Sequence, residues 1–333
     1  MPVTVVLAMT TGTAILEVFY QAAGQFVSLA ELERVLKLPA AGVTAELGEL
    51  KELGYKIEAH PHLGYRLLET PERLTADDIK ARLKTRVIGL EILVFDQTSS
   101  TNDVIAHMAT SQRGEGIVVF AESQTKGRGR HGRTWASPRG KGLWFSVLLR
   151  PKLKPAAAAR ITVAASVAVA RAVRRVSGLD ARIKWPNDVT VSGKKVAGVL
   201  TELSAEKDEI LSAILGIGIN VNCRQEDFPP DFSKIATSLE LEAGRAFDRV
   251  ALAADALQAL DGCYEVAQTD FDSIVAEWAR LSTTLGKQLV VTIGARRVEG
   301  HAQALDNDGA LLLRRDNGQV ERILGGDVVV ERA

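Results

Sequence analysis

Apolar residues recur along this chain with changing periods, and the changes mark its divisions. In the first stretch they fall every three or four positions in two short runs, which predicts helices over Leu29–Leu36 and Ala40–Leu53. Ser28 with Glu31 forms a capping box ahead of the first, and Leu38-Pro39 makes a turn between them. Gly54 stops the second. Tyr55-Lys-Ile57 and Tyr65-Arg-Leu-Leu68 then flank His60-Pro-His-Leu-Gly64, the pattern of a hairpin. Helix, tight turn, helix and wing over residues 1–68 is the layout of a winged helix-turn-helix.

A connector, residues 69–84, follows, with a short helix at Thr75-Ala-Asp-Asp-Ile-Lys80. Residues 85–285 then mix both periods. Val87–Phe95, Gly116–Phe120, Trp144–Leu149, Arg182–Trp185, Lys195–Glu202 and Ile210–Val221 read as strands. Ser100-Thr-Asn-Asp103 is a second capping box, opening a helix toward Thr110. A helix from Pro155 has arginines in its last turn and Gly178 just beyond, and helices at about Phe247–Val266 and Phe271–Leu285 close the region. From residue 286 to 333, short β runs alternate with turns such as Asp306-Asn-Asp-Gly309 and Asp316-Asn-Gly318, which predicts a small, SH3-like antiparallel barrel. The fold class is α/β (α+β).

Composition changes this picture little. A chain of 333 residues accommodates two or three domains, and 46% hydrophobic with 25% charged residues is ordinary globular usage. Cys223 and Cys263 alone make no disulfide framework, which points to a reducing cytoplasm. The five histidines show no ligand spacing, so no structural zinc site is expected. Met1–Met9 is apolar, lacks a basic flank and is too short to span a membrane. The Ala-rich run Pro155–Val176, interrupted by four arginines, reads as a buried core helix.

Charge changes it more. The formal net charge is zero, yet from Ser123 to Leu179 there are thirteen Lys or Arg and no Asp or Glu. The positive charge centres on Glu122-Ser-Gln-Thr-Lys-Gly-Arg-Gly-Arg-His-Gly-Arg-Thr-Trp135, where arginine forks and close-approach glycines alternate. An anion binds there. The glycines match G-x-G-x-x-G and nearly a P-loop, but both motifs need a helix N-terminus next, and Pro138 and Gly140 follow instead. Downstream, Lys184-Trp-Pro-Asn-Asp188 offers amide and carboxylate groups for a nucleotide or magnesium. Lys195 opens a strand, and Gly216-Ile-Gly-Ile-Asn220 turns two bare positions to one face of another.

These motifs, with Ser99-Ser-Thr-Asn102 upstream, resemble in order and spacing those of the biotin protein ligases, and the likeness covers the whole chain. It implies a class II synthetase-like mixed sheet and a two-step ligation. Biotin and ATP give biotinyl-5′-AMP, and a lysine of a biotin carboxyl carrier domain then takes the biotin. By motif, Ser100, Thr101 and Asn102 would hold the ureido end, with Gln124, Gly127, Arg128, Gly129 and Arg130 near the ligand and Gly216 and Gly218 giving it room. Arg128, Arg130, Arg133, Trp135, Asn187 and Asn220 would meet ATP or the adenylate, with Trp135 near the adenine. Lys195, with Arg130, would carry catalysis by bridging carboxyl and α-phosphate, and Asp188 is the candidate for Mg2+. His131 stands where relatives have a second arginine.

The resemblance also brings an operator-binding role and a homodimer. Against the former, residues 1–68 hold five Lys or Arg against seven Glu, and the second helix carries only Lys51 among its cations. A biotin-sensing DNA regulator with little ligase activity and a lipoate-type ligase stand as the alternatives. The loop signatures of the latter are absent.

Overall fold

The computed structural model describes residues 10–110 and 114–330; the apolar Met1–Met9 segment lies outside them. The first unit is α1 (Thr11–Gln21), α2 (Leu29–Leu36), α3 (Ala40–Glu52) and the hairpin β1 (Lys56–His60) with β2 (Gly64–Glu69). The pattern had not shown α1, which is capped by Thr10. Ser28 caps α2 through the Glu31 amide, and Gly54 leaves α3 with φ +99°. Ile15, Leu16, Leu32, Val43, Leu47 and Tyr55 make a core separate from that of the larger unit.

The connector forms α4 (Ala76–Ala81), capped by Thr75. It ties the first unit to the second. Arg82 lies 4.1 Å over the Tyr20 ring and donates to Asp248 at 2.8 Å, while the Tyr20 hydroxyl donates to Asp78. Burial pushes the Asp78 carboxyl above its usual range.

The central sheet takes β3 (Ile92–Phe95), then, after α5 (Thr101–Ala109), β4 (Val118–Ala121) and β5 (Gly142–Leu149). Beyond α6 (Ala159–Ser177) come β6 (Arg182–Lys184), β7 (Asp188–Val191), β8 (Lys194–Glu206) and β9 (Glu209–Asn220). The order is β3-β4-β5-β9-β8-β7-β6, with β3 and β4 parallel and the other pairs antiparallel. The strand expected at Val87 starts only at Ile92, because the Asp261 carboxylate takes the amides of Arg86, Val87 and Ile88 and Gly89 turns with φ +90°.

Then come α7 (Leu239–Ala243), α8 (Arg249–Thr269) and α9 (Phe271–Leu281). Helix α7 had not been foreseen. The start of α8 is set by Asp248, which accepts from Val250 and Ala251, and α9 stops short of Leu285 because Thr283 donates to Ile183 beside β6. Helix α6 is long and apolar enough to cross a membrane, but it packs against α8, α9 and the sheet, burying Val163, Val167, Ala168 and Val173 among others. Gly178 ends it with φ +75°.

Strands β10 (Gln288–Ile293), β11 (Arg296–Leu305), β12 (Leu311–Arg314), β13 (Val320–Ile323) and β14 (Asp327–Val330) form an antiparallel sheet in the order β13-β12-β11-β10-β14. Its Gly309 turn abuts Ala159 and Arg160 at the start of α6.

Candidate active site

Alternation along three central strands gives the sheet two unlike faces. Leu143, Phe145, Leu215, Ile217, Ile219, Ala197 and Val199 face the helices and are buried. The intervening positions on the other face are Ser146 on β5, Gly216, Gly218 and Asn220 on β9, and Gly198, Leu200 and Glu202 on β8. Their register puts Ser146, Gly216 and Leu200 side by side, and likewise Trp144, Gly218 and Gly198. This small and polar face floors a cavity of about 390 Å³.

The walls bring together every residue the sequence picked out, except Gly127, which lies buried beneath the loop. Ser100 precedes α5 without capping it, so the expected capping box is not formed. Gln124 instead takes the Thr101 amide at 2.8 Å, and Asp103 is drawn to Arg128 at 2.5 Å. The Thr101 hydroxyl meets that of Ser146 at 2.7 Å, Ser146 donates to Asn102 Oδ1 at 2.5 Å, and Asn102 Nδ2 donates to Glu202 at 2.7 Å.

The basic stretch folds as a small hairpin rather than a helix start. Trp135 N–H donates to Gly127 O at 2.9 Å and Gly129 N–H to Arg133 O at 2.7 Å. A Cβ at position 127 would lie 2.4 Å from the Trp135 carbonyl, so this turn requires glycine. His131 takes φ +55° at its tip. Arg130 reaches Asn187 Oδ1 at 3.4 Å and packs at Gly325, and its burial lowers its pKa. Arg133 pairs with Asp327 at 2.5 Å. For Arg128, burial lowers the pKa, but Asp103 and Glu202 raise it overall.

Trp135 lies against the floor. A Cβ at 218 would fall 2.4 Å from its ring and one at 198, 2.9 Å. Lys195 Nζ sits 5.0 Å from the centroid of the same ring and 2.6 Å from Asp188. The notch at Gly216 is filled by Asn102, whose Oδ1 would be 2.3 Å from a Cβ there. Both glycine notches therefore hold protein side chains. Asn187 Nδ2 donates to Val199 O at 2.7 Å, and Asn220 Nδ2 to Thr237 O at 3.0 Å.

Asp188 does not fit a resident magnesium. Its Oδ1 is matched by Lys195, and among the described residues no three His, Cys, Asp or Glu gather as metal ligands. Sequence reasoning missed Glu202 and Asp327. The period-two register through Gly198 and Leu200 would have found Glu202, and the Gly325-Gly326 pair marks the turn that carries Asp327.

Residues 94–220 match the Biotin/lipoate A/B protein ligase family and residues 284–330 the Biotin protein ligase C terminal domain. The bifunctional ligase/repressor BirA of Bacillus subtilis is 35% identical over 319 residues, covering 94% of this chain and 97% of that protein. The biotin--[acetyl-CoA-carboxylase] ligase of Mycobacterium tuberculosis is 35% identical over 259 residues, covering 74% and 93%. The solved structure of the biotin protein ligase from Aquifex aeolicus in complex with biotin and ATP is 29% identical, covers 73% of this chain and 99% of its own, and superposes with a TM-score of 0.62.

Proposed function

The chain belongs to the biotin protein ligase family, and on that premise we propose that the cavity over β5, β9 and β8 joins biotin to ATP and then to a carrier lysine. A carboxylate oxygen of biotin attacks the α-phosphorus of ATP and pyrophosphate leaves. The carrier lysine, as the free amine, then attacks the acyl carbon of biotinyl-5′-AMP, releasing AMP and a proton. What carries this reading is the convergence of Lys195, Arg130 and Asn187 on one cavity whose floor includes Gly198, Gly216 and Gly218.

Two anions must meet in the first step, and fixed cations offset their repulsion and the charge growing on phosphorus. Lys195 is held ready by Asp188 and exchanges that carboxylate for the substrates' oxygens. Arg130, inserted between Asn187 and Gly325, supplies a second preset charge. Any Mg2+ would be brought by the triphosphate, since among the described residues no carboxylate or imidazole cluster gathers to hold it. The hairpin of residues 127–135 shields the mixed anhydride from water. The acceptor is the biotin carrier domain of an acetyl-CoA carboxylase. The buried thiols of Cys223 and Cys263 suit a reducing cytoplasm.

Labelled biotin, ATP, magnesium and a purified carrier domain test this, with lipoate as competitor. Transfer that needs biotin and ATP and ignores lipoate supports it; a chain that binds biotin but transfers none overturns it.

A second role, biotin-responsive repression, is favoured by the likeness to a ligase/repressor over 94% of the chain and by α2, α3 and the hairpin, which we read as a winged helix-turn-helix of a homodimer. Charge limits it. Lys56 pairs with Glu69 and Arg66 with Glu58, leaving few cations for phosphate. With about two phosphates neutralised per copy, log K for DNA falls with log salt at a slope of roughly −2 per copy. A slope of zero, or no DNA binding, removes this role.

A further inference from the structure

Glu202 is the joint between two parts of the site that the sequence treats separately. It lies on β8, on the same face as Gly198 and Leu200, where the strand leaves the cavity. Its Oε2 accepts from Asn102 Nδ2 at 2.7 Å, and both its oxygens lie 3.4 Å from Arg128 Nη2. The other fork nitrogen of Arg128 is bound by Asp103 at 2.5 Å. Asp103 is itself one residue from Asn102, at the start of α5, and also accepts from the Ser99 hydroxyl at 3.2 Å. The first arginine of the hairpin is thus gripped by two carboxylates, one from the sheet and one from the helix that carries the ureido-end residues.

We propose that Glu202 is a positioning residue: it fixes the Asn102 carboxamide in the Gly216 notch and, with Asp103, forms an anionic catch on Arg128 that holds the hairpin in place before substrates bind. Its first task follows from valence. Asn102 Oδ1 is taken by Ser146, so the amide must present Nδ2 toward β8, and a carboxylate is the acceptor that locks this orientation. The second follows from charge. Arg128 cannot turn toward a phosphate without leaving both carboxylates, so an anionic ligand competes with Asp103 and Glu202 for one guanidinium. The catch is half exposed, so salt weakens it.

The biotin part of this rests on the ligase reading; the loop part does not. Trypsin, which cuts after Lys126, Arg128, Arg130 and Arg133, reports the loop directly in the ligand-free full chain. The double variant D103N/E202Q is cleaved there about 2–10 times faster than wild type, the range two partly exposed ion pairs support. Raising salt brings wild type toward the variant while leaving the variant's rate unchanged. Separately, E202A raises the KM for biotin by about tenfold, the loss of one charge-assisted hydrogen bond, with a smaller change in kcat. E202Q, which still accepts from Asn102, restores most of that. A single cooperative melting transition retained in each variant shows that it folds. Wild-type cleavage rates in D103N/E202Q, or an unchanged biotin KM in E202A, overturn the proposal. If wild type itself activates no biotin, the ligase reading fails, and the cleavage comparison still decides whether the catch exists.

Discussion

Gly216→Ala puts the floor of the site to a quantitative test. The new Cβ would lie 2.3 Å from Asn102 Oδ1 and 3.1 Å from its Cγ and Nδ2. The backbone cannot yield, because β9 is paired at this point with Ser146 on one side and Leu200 on the other. Asn102 must therefore retreat, and it gives up two hydrogen bonds, from Ser146 at 2.5 Å and to Glu202 at 2.7 Å. The side chain is 4% exposed, so water does not replace them freely. A neutral bond at about 0.5–1.5 kcal/mol and one to a charged group at about 1.5–3 kcal/mol give a loss of roughly 2–4 kcal/mol. Gly218→Ala is the internal comparison. Its Cβ would meet the Trp135 ring at 2.4 Å, but the indole Nε1 has no hydrogen-bond partner to lose. Calorimetry of both variants should show a fall in Tm of roughly 4–10 °C for Gly216→Ala and a clearly smaller one for Gly218→Ala. A biotin titration should show at least about tenfold weaker binding for Gly216→Ala, from the displaced carboxamide. The reasoning is refuted if Gly216→Ala melts with wild type and binds biotin normally, or if the two variants lose equal stability.

Three further outcomes follow from the same geometry and one from burial. Lys195→Ala should lower the rate of adenylate formation by about 10²–10³ in single-turnover assays, as loss of one preset donor does; formation at the wild-type rate removes Lys195 from the first step. Gly127→Ala collides with the Trp135 carbonyl and opens the hairpin, so free biotinyl-5′-AMP should appear in filtrates faster than from wild type; unchanged release speaks against shielding. Arg249 and Glu122, both 6% exposed, form an ion pair at 2.8 Å in which Glu122 also accepts from Leu74 N–H, so Arg249→Leu should cost about 3–5 kcal/mol in denaturant unfolding by stranding the carboxylate. Burial pushes the thiols of Cys223 up to about 12 and Cys263 to about 11, so neither should react with a thiol reagent at pH 8 until the chain unfolds; rapid native labelling contradicts their burial.

Much of the site was legible because its information is local. The alternation in Gly216-Ile-Gly-Ile-Asn220 fixes which residues share a face, whatever the rest of the chain does. The rejection of a phosphate loop held for a similar reason: residues 127–135 close on themselves through Gly127 and Gly129. What escaped depends on partners far along the chain. Glu202 acquires its role from Arg128, 74 residues earlier, and Asp327 from Arg133, 194 residues earlier. The same holds for the failed capping box. Ser100 and Asp103 have the right spacing, but the Asp103 carboxylate goes to Arg128 and the Ser99 hydroxyl, and its amide donates to the Ser100 carbonyl. At Val87–Leu90 an apolar run lost its strand to a single carboxylate on α8 that satisfies three consecutive amides.

The glycines of the floor acquire a second meaning from what occupies them. Read from sequence, two bare positions on one strand face make room for a ligand. In the structure that room holds Asn102 from α5 and Trp135 from the hairpin. These two occupants are not alike. Asn102 is bonded at both ends of its amide, so it belongs to the rigid wall and removing it costs hydrogen bonds. Trp135 gives up ring contacts and the Lys195 cation beside it, but no hydrogen bond from Nε1, when it leaves. On the proposed reading, a ligand reaching Gly218 would have to displace the indole, losing its packing on Gly218, Gly198 and Trp144 and its contact with Lys195 but no hydrogen bond from Nε1. Asn102 at Gly216 is thus a hydrogen-bonded wall, and Trp135 at Gly218 a plug held by ring packing and the Lys195 cation.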